Sequence, residues 1–297
     1  ERVFAFAHKN GLSHVLFSGD LFDQQKVLPA IVVNAITDMF SELFEKYPDI
    51  TLLAITGNHD QATINLGERP AVSALTFLDS VFQNLNLIDN DMVMLPDGNV
   101  VCGIPYYEHP EHFKKALIDM NARIEEGTEY NVRPKFYLMI HQTPSGLSGG
   151  YRNIPVDIEH DSLLFAPYEL VLCGHIHVKH ELGKLIVGGS PIQKDFSDVD
   201  DEKGYWAVDL NTGNYQFRSL QKFYPKFVRI KEGEQVDVEE TDYVEVIPVM
   251  QAITKEEEEH VEMYRADNTP KELLTNFWQE TEGKDEKLIE TGLGFLN

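Results

Sequence analysis

Cysteine is scarce in this chain: two in 297 residues, Cys102 and Cys173, each inside an apolar run. That count excludes the disulfide framework that staples small secreted domains, and both thiols read as reduced core filler. Long apolar runs are missing too. None approaches the roughly 20 residues that a membrane helix needs, and Glu1 to His8 lacks the charged-then-apolar pattern of a secretory signal. A cytoplasmic location without membrane contact is the expectation. The third shortage is basic charge. Lys and Arg number 25 against 49 Asp and Glu, a formal net charge of -24, whereas passive binding to duplex DNA requires many cations against phosphate. Any grip on nucleic acid must therefore be local, with bound cations or a basic partner supplying what the chain lacks.

What the chain does have is core material, 42% hydrophobic residues, enough for one large core plus a smaller appended unit. Up to about Gln221, short runs rich in Val, Ile, Leu and Phe alternate with stretches of helical period. The runs are 14–17, 51–55, 99–102, 135–140 and 169–173, mostly apolar throughout, as strands covered on both faces are. Residues 28–47, 71–82 and 111–126 read as helices between them, and 3–9 as a helix leading into the first run. The alternation predicts an α/β sandwich. Beyond Tyr224 the texture changes: 227–230 and 243–249 read as strands of a small β unit, and 254–264, 271–280 and 285–293 as short helices. The chain accordingly divides into 1–222, a main domain; 223–250, a small β cap; and 251–297, a helical region that either packs on the main domain or offers its apolar stripe to a partner.

Four of the five runs end in a polar cluster: Gly19-Asp20, Gly57-Asn58-His59-Asp60, His141-Gln142 and Gly174-His175-Ile176-His177. Loops beyond the carboxyl ends of strands in an α/β sheet gather on one edge, so these clusters are expected to converge. Asp20, Asn58, His59, His141, His175 and His177 make a nitrogen and oxygen donor set suited to hard or borderline divalent ions such as manganese. One histidine at a strand end is more often structural than a ligand; four, with an aspartate and an asparagine in repeated strand-end positions, reverse those odds. In an extended segment, residues two apart face the same way, which would let His175 and His177 reach one site. Gly57 and Gly174 are expected where the backbone turns sharply.

The ordered set Gly19-Asp20-Leu21-Phe22-Asp23, Gly57-Asn58-His59-Asp60, His141 and Gly174-His175-Ile176-His177 closely resembles the calcineurin-like metallophosphoesterase family. The resemblance implies a four-layer sandwich, two mixed β-sheets flanked by helices, here with a C-terminal β cap and helical tail. It implies two divalent ions, manganese first with magnesium as the alternative. By position, Asp20 would bridge the two, Asn58, His141 and His175 would bind one, and His177 the other. His59 would stabilise the transition state or protonate the leaving group. Asp23 and Asp60 would orient the ligands, with a role as helix-start caps equally open. The family also opens with an Asp-x-His motif, and none precedes Asp20 here; His8 sits in a helix with no aspartate at the required spacing. We expect residues ahead of Glu1 to carry that motif together with a central strand, and without it one metal site is incomplete.

Within the family, Gly103-Ile104-Pro105-Tyr106, Gly188-Gly189-Ser190-Pro191, Phe196 and Lys203-Gly204-Tyr205-Trp206 are similar to segments of SbcD-type repair and recombination nucleases, although a turn and a hairpin strand explain the last two stretches as well. That likeness implies DNA as substrate, an SbcC-type ABC ATPase as partner through the C-terminal helices, and a homodimer through 28–47 and 71–82. Tyr106, Tyr107, Arg152 and Ser190 are candidates for substrate contact, against the plainer reading of edge aromatics, a turn serine and a surface cation. Two rival functions stay open: a phosphatase or cyclic phosphodiesterase acting on a small substrate, and a non-catalytic scaffold with a decayed site.

Overall fold

The computed structural model describes residues 1–23, 27–63, 72–127, 134–147 and 155–247. Arg152, the three expected helices beyond 251 and the last residues of the strand expected over 243–249 lie outside the described residues. In chain order the regular elements are α1 (Arg2–Lys9), β1 (His14–Phe17), α2 (Ala30–Lys46), β2 (Thr51–Ala54), α3 (Ala74–Val81), β3 (Leu85–Leu87), β4 (Asp91–Met94), β5 (Val100–Ile104), α4 (Pro110–Gly127), β6 (Phe136–Ile140), β7 (Tyr168–Cys173), β8 (His180–Leu182), β9 (Leu185–Val187), β10 (Gly204–Val208), β11 (Tyr215–Ser219), β12 (Phe227–Lys231) and β13 (Tyr243–Ile247).

The strands form a parallel three-stranded sheet, β1-β2-β3, and a mixed six-stranded sheet, β4-β5-β6-β7-β9-β8. Two two-stranded pairs, the antiparallel β10-β11 and the pair β12-β13, complete the set. The layering follows from the two-residue period of a strand, which sends neighbours to opposite faces. On β2, Leu52 joins the cluster of Phe4, Phe40, Leu43, Phe44, Leu75 and Leu78 from α1, α2 and α3. Its neighbour Leu53 instead meets Val101, Tyr137 and Met139 of the larger sheet. The alternate residues of that sheet, Cys102, Leu138 and Ile140, face Phe113, Leu117, Met120 and Ile124 of α4. Helices, sheet, sheet and helix therefore stack in four layers, with three apolar seams between them. The expected mixed α/β sandwich is what forms. One of its sheets differs from expectation in being all parallel in its described strands.

The five apolar runs that read as strands up to Gln221 are strands, and the four helices predicted over 3–9, 28–47, 71–82 and 111–126 end within three residues of the observed ones. Ser73 starts α3 by accepting a hydrogen bond from the Leu75 amide at 3.1 Å, the ordinary way a helix satisfies a free N–H. Gly204–Val208 is a hairpin strand, paired residue for residue with Tyr215–Ser219. By contacts the chain divides into two compact units, Glu1–Val228 with Asp237–Glu245, and Arg229–Val236 with Val246–Asn297. In the described part of the second unit, the Glu232 amide donates to the Ile247 carbonyl at 2.9 Å. No helix among the described residues is long and apolar enough to cross a membrane.

Register is what matters for the site. β1 and β2 run in step from His14 opposite Thr51 to Phe17 opposite Ala54, and β5 and β6 from Val100 opposite Phe136 to Ile104 opposite Ile140, with β7 ending at Cys173 beside Ile140. All five strands thus stop on one edge. The two sheets are tied together there by the Tyr106 amide, which donates to the Thr56 carbonyl at 2.9 Å. Phe113, fully buried in the seam under α4, tests the layering: Phe113→Ala is expected to lower unfolding free energy by about 3–5 kcal/mol, read from urea denaturation. A loss under about 1 kcal/mol would show that the seam is not packed as described.

Candidate metal centre

His141 follows β6 directly, yet its ring reaches out of its own sheet. Nδ1 lies 2.5 Å from the carbonyl oxygen of Ser18, at the end of β1. A carbonyl only accepts, so Nδ1 carries the proton and Nε2 of the neutral ring is left with a lone pair. Nε2 faces two oxygens, Asn58 Oδ1 at 3.0 Å and Asp20 Oδ2 at 3.1 Å. Asn58 Oδ1 is also 3.0 Å from Nδ1 of His175. Donor atoms of Asp20, His141 and His175 all lie within 4.8 Å of one another, the one such group of His, Cys, Asp and Glu among the described residues. Oxygens and imidazole nitrogens gathered in a partly buried place need positive charge among them, supplied by ring protons or by a metal cation. The donor set, two imidazoles, a carboxylate and an amide oxygen, fits a divalent ion of the manganese or zinc type.

The local electrostatics keep these groups in ligand form. Burial pushes the His175 imidazole down to about 4, and the neighbouring His141 ring adds to the effect, so His175 is neutral at physiological pH. Burial also acts to raise the Asp20 carboxyl, but hydrogen bonding and charge from His141 and the His59 amide outweigh it and hold Asp20 below the usual carboxylate range.

The backbone that delivers these side chains is strained at two of them. Asp20 has φ +63° and His175 φ +74°, a left-handed region that non-glycine residues seldom occupy. At His175 the Ile176 amide donates to the Gly174 carbonyl at 2.9 Å, closing a γ-turn of the rare positive-φ kind. The segment 174–177 is therefore bent, and the expectation of an extended pair is corrected: His175 enters the acceptor cluster and His177 does not join its 4.8 Å group.

Gly57 and Gly174 also differ from expectation. Neither has positive φ, whereas Gly19 does, at +93°. What Gly57 and Gly174 supply is room. A Cβ on Gly57 would sit 2.2 Å from Asp20 Oδ1 and 2.8 Å from His141 Cε1, and one on Gly174 would sit 2.2 Å from the Ser18 carbonyl and 2.8 Å from His141 Nδ1. Gly19 approaches His141 Nδ1 in the same way, at 2.6 Å. Three glycines thus line the slot that holds one imidazole.

Asp60 ties the loops after β1 and β2 together. Its Oδ2 accepts from the amides of Asp20 and Gly57, at 2.8 and 2.9 Å, and its Oδ1 from Leu21 and Phe22, at 2.8 and 3.2 Å. Burial raises its pKa against the pull of those amides. Of its two predicted roles, orienting the Asp20 loop is the one seen; Ser73, not Asp60, caps α3. Asp23 is corrected: its carboxylate is 81% exposed, 3.5 Å from Lys194, and its backbone carbonyl is what meets His59 Nδ1, at 2.9 Å. His59 is held from the other side by its own amide, which donates to Asp20 Oδ1 at 2.9 Å.

Tyr106 lies over the cluster, its ring centroid 5.7 Å from His175 and 6.2 Å from His141, with its hydroxyl donating to Glu108 at 3.2 Å. Tyr107 points the other way. It is 3% exposed, part of the core, and donates its hydroxyl to Asn90 at 3.1 Å, so the expectation of substrate contact by Tyr107 is corrected. Ser190 turns its amide, at 2.9 Å, and its hydroxyl, at 3.4 Å, to the His177 carbonyl.

With this geometry in view, comparison with known proteins gives a consistent class. A model of the calcineurin-like phosphoesterases matches residues 1–179, more than half of the chain. The chain belongs to that family, hydrolases whose members use divalent metals. It is similar to the SbcD component of the nuclease SbcCD from Staphylococcus epidermidis, 24% identical over 247 residues, covering 78% of this chain and 63% of that protein. It is also similar to exonuclease subunit 1 of Enterobacteria phage T4, 26% identical over 225 residues, covering 73% and 59%. The DNA double-strand break repair protein Mre11 of Nanoarchaeum equitans is 21% identical over 210 residues, covering 66% and 54%. The chain therefore spans between 54% and 63% of the length of these relatives.

The glycine slot generates a test. Gly57→Ala places a methyl against Asp20 and His141 and is expected to cost about 1–3 kcal/mol of stability and to abolish manganese uptake. Gly127→Ala, at the end of α4 with open space around it, is expected to be neutral or slightly stabilising. Urea denaturation and manganese titration of both variants give the comparison; equal behaviour would show that the slot has slack.

Proposed function

We propose that the chain is the nuclease component of a DNA double-strand break repair or recombination enzyme, hydrolysing phosphodiester bonds with two divalent ions, manganese foremost. The carrying observation is the convergence of His141 Nε2, Asn58 Oδ1, Asp20 Oδ2 and His175 Nδ1 in one cluster of potential metal-binding atoms. The kinship with three proteins named as nucleases or break-repair proteins supports the choice of DNA over a small phosphoester. In this reading Asn58, His141 and His175 would hold one ion, His177 would hold the other, and Asp20 would serve both. The ions supply Lewis acidity and a water acidic enough to attack at neutral pH.

The chain's own residues do the positioning. The Ser18 carbonyl fixes the His141 tautomer, so that Nε2 is always the liganding atom. The Asp23 carbonyl accepts from His59 Nδ1, so in the doubly protonated ring Nε2 is the atom that would hold the second proton for the departing 3′ oxygen. Tyr106 lies on the side of the site over His175. Ser190 holds the His177 main chain. The net charge of -24 supports a divided labour in which a cytoplasmic SbcC-type ABC ATPase, with a second copy of this chain, supplies much of the grip on DNA.

His59→Ala is expected to lower strand cleavage by about 10²–10⁴-fold with manganese binding kept. His141→Ala is expected to weaken manganese binding by at least about 10-fold. Equal loss of metal in both would refute this division of roles. Turnover of bis-p-nitrophenyl phosphate with linear duplex DNA left intact would move the reading to a small-substrate phosphodiesterase.

A further inference from the structure

Lysine is almost never fully buried unless paired, and Lys203 is buried, its side chain 2% exposed, in a part of the molecule to which no role has yet been given. Its ammonium has three N–H bonds and meets three acceptors: Asp198 Oδ1 at 2.7 Å, the His177 carbonyl at 2.9 Å and Asp201 Oδ2 at 3.3 Å. The set is complete, one acceptor for each donor. Asp198 is buried as well, its side chain 4% exposed, and its second oxygen accepts from the Lys194 amide at 2.8 Å. Lys203 itself is fixed by its main chain. It directly precedes β10, and its carbonyl accepts from the Leu220 amide at 2.9 Å, beyond the end of β11.

These contacts make a strut. One end is the β10-β11 hairpin, the other is the carbonyl of His177, which follows the γ-turn at His175 in a loop with no regular structure of its own. The same carbonyl accepts from Ser190 N and Oγ. A single carbonyl with three donors, one of them a buried cation, is held far more firmly than a loop peptide requires. Stability alone does not explain the arrangement, because a buried ion pair generally contributes no more than apolar side chains of the same volume. A methionine at 203 with a leucine at 198 would fill this space. What the charged pair adds is a fixed position for the backbone that carries the His177 ring.

We infer that Lys203, held by Asp198, is a positioning residue that sets the His177 imidazole for metal binding; the inference rests on the reading of His177 as a metal-facing residue. Lys203 touches no substrate in this scheme. It acts through the peptide of His177, in the way that outer partners of metal ligands fix the ligand's orientation.

Manganese binding to the full-length protein, followed by electron paramagnetic resonance, separates the possibilities. Four variants are compared with the parent: His177→Ala, His141→Ala, Lys203→Arg and the double change Lys203→Met with Asp198→Leu. The double variant removes both buried charges together and so leaves neither unpaired. Lys203→Arg keeps the charge but cannot present three donors in the same directions. The binding that His177→Ala loses is expected to weaken roughly 10- to 100-fold in the double variant and by a smaller factor in Lys203→Arg, while the binding that His141→Ala loses stays within about twofold. Parental affinity in a folded double variant overturns the inference, and if that protein does not fold, parental affinity in Lys203→Arg overturns it. If His177→Ala binds manganese as the parent does, the metal role of His177 falls and this inference with it. If His177→Ala loses binding and the Lys203 variants keep it, only the inference about Lys203 fails.

Discussion

The His141 ring bridges the two sheets. It leaves the end of β6 in the six-stranded sheet and donates to the Ser18 carbonyl beyond β1 in the three-stranded one, while Gly19, Gly57 and Gly174 surround it without side chains. That one hydrogen bond fixes which nitrogen faces the acceptor cluster, and the ring's volume fixes how close the loops after β1, β2 and β7 can come. Any Cβ in the slot would push a loop outward, and with it Asp20, Asn58 or His175. The geometry of the centre therefore depends on the sheets staying in register, since a one-residue slip of β6 would turn His141 to the opposite face.

The same seam explains where the fold accepts unfavourable conformations. Positive φ at Asp20 and His175 costs of order 1–3 kcal/mol each. Asp60 offsets part of the first cost by satisfying four amides of the two loops with one carboxylate. At His175 a tight turn sets the ring beside Asn58, and the strut from Lys203 holds the following peptide. Rigid strands carry these side chains to one edge, and buried charged groups behind the loops hold them there. A constellation of this kind needs such support because a misplacement of about 1 Å is enough to spoil it.

Much of this is legible in the residues and some is not, for definable reasons. Five apolar runs correspond to five strands because strands buried on both faces leave a continuous signal. β3, β8 and β9 are three residues each, too short for any period to register. The ordered Gly-Asp, Gly-Asn-His-Asp and Gly-His-Ile-His set points to a shared edge, and the edge exists; the bend at His175 is hidden because histidine carries no turn signal of the strength glycine does. Tyr106 and Tyr107 look alike in sequence, although neighbours in an extended segment face opposite ways: one lies over the cluster and the other is core. Gly57 and Gly174 look like turn formers because sequence cannot distinguish a glycine that bends from one that makes room. Lys203 is invisible as a site residue because lysine reads as surface, and only the fold shows three acceptors closing around it.

The acidity of the chain then has a consequence for the order of events at the proposed site. With Asp20 ionised and His175 neutral, the cluster presents acceptor atoms and negative charge to whatever approaches. A phosphate entering that field without cations meets repulsion at short range and the wider field of a chain at net charge -24, which screening reduces over a Debye length of about 8 Å but does not reverse. Divalent ions bound at the proposed site would invert the local sign and leave the remaining surface acidic. Attraction for a phosphodiester would thereby be confined to the edge where the strands end. An acidic phosphoesterase of this design would take up its metal before its substrate, and any affinity for nucleic acid would follow metal occupancy more closely than the count of its lysines and arginines.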